Sequence, residues 1–325
     1  MSGSGLGFQS DPSIGSGPFR WSLKPDARDR FRFLLHQSVM RSSTALRLRG
    51  GLTLSRWLQR VVGDYGASIA AEADPDVRVS FGGFDRYWMR VFFRGDFYEP
   101  ELYRLFKRWK RLPSFDLIDG GANIGFWSAV LTSAQFGVKH AVAVEASPTT
   151  YQDLTRTALL CGGRFATEHR ALSARTGLVE FEQGVAHASR HIVGIGETAS
   201  SGNVVTIEAT TIDELVAKHR LQNRDLLVKL DVEGAELDCV TGAANAFEAG
   251  AIFIYEDHGK EPRSVLTQQL LDRGAACWFI TDEGTLERVD AAAEASRFKV
   301  DVRRGYNFLC VGRAHAGDLE QRLFG

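Results

Sequence analysis

The chain is poor in several features that mark large protein classes. It has four cysteines in 325 residues, Cys161, Cys239, Cys277 and Cys310, far apart and with no Cys-x-x-Cys pair. That spacing argues against a disulfide framework or a zinc ribbon and fits buried free thiols in a reducing compartment. The chain also lacks an excess of either charge. Its 39 basic and 40 acidic residues leave a formal net charge of −1, so the whole molecule is no generic nucleic-acid binder. No uncharged apolar run approaches the roughly 20 residues of a membrane span. The opening Met1-Ser2-Gly3-Ser4-Gly5 is not a basic stretch leading into an apolar one. No signal peptide is therefore expected, and a cytoplasmic protein is. What the chain does have is 44% hydrophobic and 24% charged residues, enough for a sizeable core.

Composition then suggests three regions. Residues 1–18 are rich in Gly and Ser and are expected to form a disordered tail. Residues 19–95 are expected to form a helical and β-hairpin cap, and residues 96–325 the main domain. Within the cap, residues 20–61 carry Arg20, Lys24, Arg28, Arg30, Arg32, Arg41, Arg47, Arg49, Arg56 and Arg60 against only Asp26 and Asp29. Apolar residues recur there at helical spacing. These cations either face water or form a basic surface for an anionic substrate, a membrane face, a protein partner or a second copy of the chain. Val77–Phe81 alternates, and Tyr87–Phe93 reads as a second strand of a hairpin turning at Gly82-Gly83.

After Pro113 strands and helices alternate. Strands are expected at 115–119, 141–145, 165–170, 226–231 and 251–256, with late strands at Cys277–Thr281 and Tyr306–Val311. Helices are expected at 124–135, 148–160, 211–219, 234–247 and 262–273. The pattern implies a Rossmann-like, doubly wound α/β sheet of seven strands with an antiparallel edge.

The first of these strands ends in Asp119-Gly120-Gly121-Ala122-Asn123-Ile124-Gly125. A strand, a glycine loop and a helix start present backbone N–H groups and a carboxylate to a ligand. Gly121 and Gly125 permit unusual backbone angles, and Asn123 tolerates them. The spacing is neither the Gly-x-Gly-x-x-Gly of a dinucleotide site nor a P-loop. The next strand, Ala141–Glu145, ends in an acid 20 residues after Gly125. Glu145 is well placed to accept hydrogen bonds from ribose hydroxyls. Ser147 before Pro148 reads as a helix N-cap.

Three segments together resemble the FkbM-type S-adenosylmethionine-dependent methyltransferases: Asp119–Gly125, Val144–Pro148 and Lys229-Leu230-Asp231-Val232-Glu233-Gly234-Ala235-Glu236. The tract Arg170–Ser173 and Tyr98-Glu99-Pro100-Glu101 fit the same resemblance, which covers roughly residues 96–312. It implies a class I methyltransferase fold with S-adenosyl-L-methionine as cofactor. It also implies cofactor roles: Asp119, Gly121, Asn123 and Gly125 at the methionine end, Glu145 at the ribose, Ser147 beside it, and Ala171 bordering the adenine. Gly120 and Cys161-Gly162-Gly163 depart from the family pattern.

The reacting end is expected at the ends of the fourth and fifth strands. Asp231 closes the fourth, and Glu256, Asp257 and His258 close the fifth. His258 is the first candidate general base, with Asp231 and Glu256 as further catalytic candidates; Asp231 also borders the cofactor. Asp231, Glu256, Asp257 and His258 could instead converge on a hard divalent ion, although a metal is not part of the expected cofactor set. His187 and His191 are spaced for a shared helix face, but their β-like context favours loop positions. Tyr87, Trp88, Phe92, Phe93, Phe97 and Tyr98 are expected mainly in packing.

The function expected from these residues is O-methylation of a hydroxyl on a sugar, glycan or secondary metabolite. The acceptor would be a small molecule or glycan rather than a nucleic acid. The competing readings are a nicotinamide-dependent oxidoreductase and a non-catalytic scaffold that keeps the fold.

Overall fold

A computed structural model of the chain describes residues 21–24, 68–73, 76–82, 85, 87–88, 91, 98–182, 191–192, 204–222, 225–232, 234–301 and 304–325. Eight strands form the main sheet: β4 (Asp116–Gly120), β5 (Ala141–Glu145), β6 (Ala166–His169), β11 (Leu226–Leu230), β12 (Ile252–His258), β13 (Ala275–Ile280), β14 (Leu286–Val289) and β15 (Gly305–Gly312). Their order is β14-β13-β15-β12-β11-β4-β5-β6. The run from β12 to β6 is parallel, and β15 is antiparallel to both β12 and β13. Seven of these strands were expected. The eighth, β14, extends the edge as an antiparallel partner of β13.

The parallel strands are apolar almost throughout because both faces are covered. Leu117, Ala143, Leu227 and Ile254 belong to one core cluster; their neighbours Ile118, Val142, Val228 and Phe253 belong to another. The first cluster packs helices α1 (Pro100–Arg108), α2 (Phe126–Leu131), α3 (Pro148–Leu160) and α9 (Leu319–Phe324). The second packs α4 (Ile212–His219), α5 (Glu236–Thr241), α6 (Ala244–Ala249) and α7 (Val265–Asp272). Helix α8 (Ala292–Phe298) adds Ala295 to that second cluster. The chain order reverses between β4 and β11. In an open parallel sheet, the crevice beyond the strand ends at such a reversal is where ligands bind.

Two smaller sheets flank this one. β7 (Ala171–Leu172), β8 (Gly177–Glu182), β9 (His191–Ile192) and β10 (Val204–Thr210) form a four-stranded sheet in the order β7-β10-β8-β9. β1 (Trp21–Lys24), β2 (Ser68–Ala73) and β3 (Val77–Gly82) form the other. Val77, Val79, Phe81 and Trp88 share the core of α1, α2 and α3, and the Ser80 N–H donates to Thr157 Oγ1 at 2.8 Å.

Some expectations change. β3 pairs backwards with β2 rather than forwards with 87–93, where Tyr87, Trp88 and Val91 are helical. The helix expected at 234–247 breaks into α5 and α6 at Gly242-Ala243. The expected tail at 1–18, most of the basic stretch 20–61, and Phe92, Phe93, Phe97, His187 and Glu233 lie outside the described residues.

Candidate active site

Four chain segments meet at the reversal point: the loop after β4 and the ends of β5, β11 and β12. Gly121 has φ +70°, and a Cβ there would lie 1.9 Å from the carbonyl oxygen of Asp231. The Asp231 N–H in turn donates to Gly120 O at 3.0 Å, so the loops after β4 and β11 are stitched together by backbone alone. Only glycine combines that backbone angle with that approach. Asn123 (φ 54°) and Gly125 (φ 82°) complete the left-handed turns of the loop.

Glu145 closes the second side. Its Oε2 accepts the Asn123 N–H at 2.9 Å and its Oε1 accepts the Ser147 N–H at 2.8 Å. The carboxylate therefore fixes the loop after β4 to the start of α3. Asn123 Oδ1 accepts from Trp88 Nε1 at 3.1 Å, which holds the loop from outside.

Asp119 lies beneath the loop, almost fully buried. Its Oδ2 accepts from both the N–H and the hydroxyl of Ser128, at 3.0 and 2.7 Å. Burial raises its carboxyl pKa above the ordinary aspartate range, although Lys229 and Ser128 oppose the rise. Ser147 serves as the N-cap of α3, accepting from the Thr150 N–H, and is 1% exposed. Ala171 is buried with Phe181, Ile207 and Ala209 in the core of the four-stranded sheet.

At the reacting end the alternation of β12 decides which groups converge. Glu256 and His258 share one face, with His258 Nε2 3.7 Å from Glu256 Oε2. Asp257 points to the other face, where Lys299 Nζ pairs with its Oδ1 at 2.5 Å and Thr267 donates to its Oδ2 at 2.9 Å. The four-ligand set of Asp231, Glu256, Asp257 and His258 is thereby corrected, because a strand continuing to His258 places successive side chains on opposite faces. Among the described residues, no group of three or more His, Cys, Asp or Glu side chains is placed to hold a metal ion.

Glu256 has room because Gly305, which pairs with His258 across the ladder, carries no side chain; a Cβ there would fall 1.2 Å from Glu256 Oε1. Burial and the nearby Asp231 and Glu99 carboxylates hold its pKa well above the ordinary glutamate range. Asp231 Oδ2 accepts from Tyr98 OH at 3.1 Å and lies 3.7 Å from Lys229 Nζ.

Glu99 and Lys229 were not singled out from sequence as site residues. Lys229 Nζ lies 3.5 Å from Glu99 Oε2, and its side chain is 4% exposed. Burial opposes its charge, but Glu99, Asp231, Asp119 and Glu256 outweigh burial and push its pKa above the ordinary lysine value. A readable signal existed: Leu226-Leu227-Val228-Lys229-Leu230 puts one cation inside an apolar parallel strand. Tyr98, Trp127 and Asn307 complete the surroundings. Trp127 Nε1 and Asn307 Nδ2 both donate to Glu99.

Residues 119–274 match the family described as Methyltransferase FkbM domain. The hexuronic acid methyltransferase AglP of Haloferax volcanii is 29% identical over 150 residues, covering 46% of this chain and 59% of that protein. Among solved structures, an FkbM methyltransferase from Methylobacillus flagellatus aligns with a TM-score of 0.40 and 15% identity, covering 87% of this chain and 59% of that one. A SAM-dependent O-methyltransferase from Thermotoga maritima aligns with a TM-score of 0.32 and 13% identity, covering 66% and 64%. The chain thus spans under two thirds of the length of these relatives. The glycine loop, Glu145, Asp231, Glu256 and His258 all lie inside the stretch 119–274 that matches the Methyltransferase FkbM domain.

Proposed function

We propose that this protein transfers a methyl group from S-adenosyl-L-methionine to a hydroxyl oxygen of a sugar or glycan. The observation that carries the reading is the glycine loop after β4, tied through Asn123 to Glu145 inside an FkbM domain. The acceptor class is taken from the relative named for hexuronic acid.

The bound cofactor would supply an electrophilic methyl group on a sulfonium. The loop Gly121–Gly125 holds the methionine end, with Asp119 bracing the loop from below through Ser128. Glu145, oriented by the Asn123 and Ser147 N–H groups, meets the ribose hydroxyls. Across the crevice, His258 is the more exposed of the β12 pair and meets the acceptor hydroxyl. As the oxygen attacks the methyl carbon, the C–S bond breaks and the hydroxyl proton passes to His258. Glu256, 3.7 Å away, stabilises the imidazolium that forms. The electron pair of the broken bond leaves as a thioether, so the step needs a base and alignment but no acid.

Titration calorimetry tests the cofactor reading. S-adenosylhomocysteine is expected to bind at micromolar levels and NADH not to bind; the reverse would sink the proposal in favour of an oxidoreductase. His258→Ala is expected to cut turnover at least tenfold with S-adenosylhomocysteine affinity nearly intact. Unchanged turnover would remove His258 as the base.

A further inference from the structure

The Glu99–Lys229 pair is an odd thing to find under a strand end. Lys229 projects from a strand in which all five residues are buried. Glu99 precedes Pro100, a position that favours extended backbone, yet it has φ 47° and ψ 63°. Left-handed backbone at a non-glycine residue is strained, and buried charges lose their hydration. Against these costs, Glu99 is held by elements from across the molecule: Trp127 on α2, Asn307 on β15 at 2.9 Å, and Lys229 on β11 at 3.5 Å. Apolar side chains of similar size would fill this volume without the loss of hydration.

The position of the pair gives it a use. Asp231, two residues beyond Lys229, is gripped between the ammonium at 3.7 Å and the Tyr98 hydroxyl at 3.1 Å. Asp231 also acts on Glu256 from the neighbouring strand, and its negative charge adds to burial in raising the Glu256 carboxyl. The charged and titratable groups facing Glu256 are Asp231 and Lys229 from β11, Glu99 and Tyr98 from the segment before α1, and His258 from its own strand. Asp119 on β4 acts on Lys229, and Glu101, bonded to Asn307 at 3.0 Å and paired with Arg304 at 3.8 Å, acts on Glu99. Lys229 is thus the buried cation on the Glu256 face of this strand end, while Lys299 serves Asp257 on the opposite face.

We propose that Lys229 and Glu99 are positioning residues for methyl transfer: the buried pair fixes Asp231 against Tyr98 and sets how readily Glu256 takes up a proton beside His258. This rests on the methyltransferase reading above. Neither residue touches the acceptor; both act through Asp231 and through Glu256, the carboxyl group beside His258. Glu99 lies outside the matched family stretch, so the site is completed by a segment that precedes it.

Charge logic gives the two residues opposite signatures. Lys229→Met removes the cation, so the carboxylates hold protons more tightly and the acid limb of turnover moves to higher pH. Glu99→Gln removes a neighbouring negative charge, so the limb moves to lower pH. Each shift is expected to be about one pH unit, the scale for a nearby charge. The double variant, neutral at both positions, is expected to return near the wild-type limb and to fold even if Lys229→Met alone does not. A purely structural role would lower stability in all three with the limb unmoved. The readouts are turnover of labelled S-adenosylmethionine with a methyl hexopyranoside, and an acceptor-free carboxyl-carbon NMR titration of Glu256. Opposite shifts establish the proposal; shifts of the same sign, or none, overturn it. Loss of S-adenosylhomocysteine binding in the wild-type protein would sink the methyltransferase reading instead, and the NMR titration would still decide the charge coupling.

Discussion

At the scale of single residues, Gly121 carries the tightest constraint in the site. Its Cβ would collide with backbone at 1.9 Å while φ stands at +70°, and no side-chain rotation relieves either problem. Gly121→Ala is expected to destabilise the fold by at least about 2 kcal/mol, read as a lowered urea midpoint. Glu145→Ala leaves the fold's apolar core untouched but removes the acceptor from Asn123 and Ser147. It is expected to weaken S-adenosylhomocysteine binding by more than about 1 kcal/mol by calorimetry, and an unchanged dissociation constant would refute its ribose role. The loop and Glu145 were legible in sequence because acids at two adjacent strand ends leave a pattern. Glu99 was not, because its backbone angle runs against the preference of a residue before proline and its donors come from Trp127 and Asn307, far away in the chain. Asp257 was misassigned for a simpler reason: with the strand drawn only to Glu256, alternation was not carried through to His258.

At the scale of elements, α3 was read to the residue because Ser147 and Pro148 mark its start without tertiary help. β14 escaped notice, since Leu286-Glu287-Arg288-Val289 lacks clean alternation and takes its strand form from pairing with β13. Helix α4 offers a pH test. Burial alone would raise the Glu168 carboxyl, but hydrogen bonds from Lys218 and His219 at the end of α4 outweigh it and hold its pKa below the ordinary glutamate range. A carboxyl depressed in the folded state contributes stability that is present above its unfolded pKa of about 4.3 and lost as pH falls through the folded value. Thermal melts should therefore fall less steeply below about pH 4.3 in Glu168→Gln than in the wild type. Parallel pH slopes for the two proteins would show that β6 is not tied to α4 by this charge.

At the scale of the molecule, the stretch that names the family is not the unit that folds. Residues 119–274 contain β5, β6, β11 and β12 but lack β13 and β15, and they lack α1 with Leu102, Leu105 and Phe106 of the first core cluster. An isolated 119–274 fragment is expected to show no cooperative thermal transition, whereas the full chain shows one; a sharp melt from the fragment would contradict this. The doubly wound architecture was legible because strands and helices alternate over most of the chain. The two flanking sheets were less so, because their short strands are held by pairing across the chain rather than by local pattern.

The insertion of β15 between β12 and β13 has a consequence for how the protein is made. Both neighbours leave the ribosome before Gly305–Gly312 does, so during synthesis each has an open hydrogen-bonding edge where β15 will sit. Unpaired edges invite pairing with other chains. The sheet can be completed only when Gly305–Gly312 has emerged. Nascent chains stalled before Gly305 should accordingly be protease-sensitive and aggregation-prone, and release past Gly312 should abolish both properties.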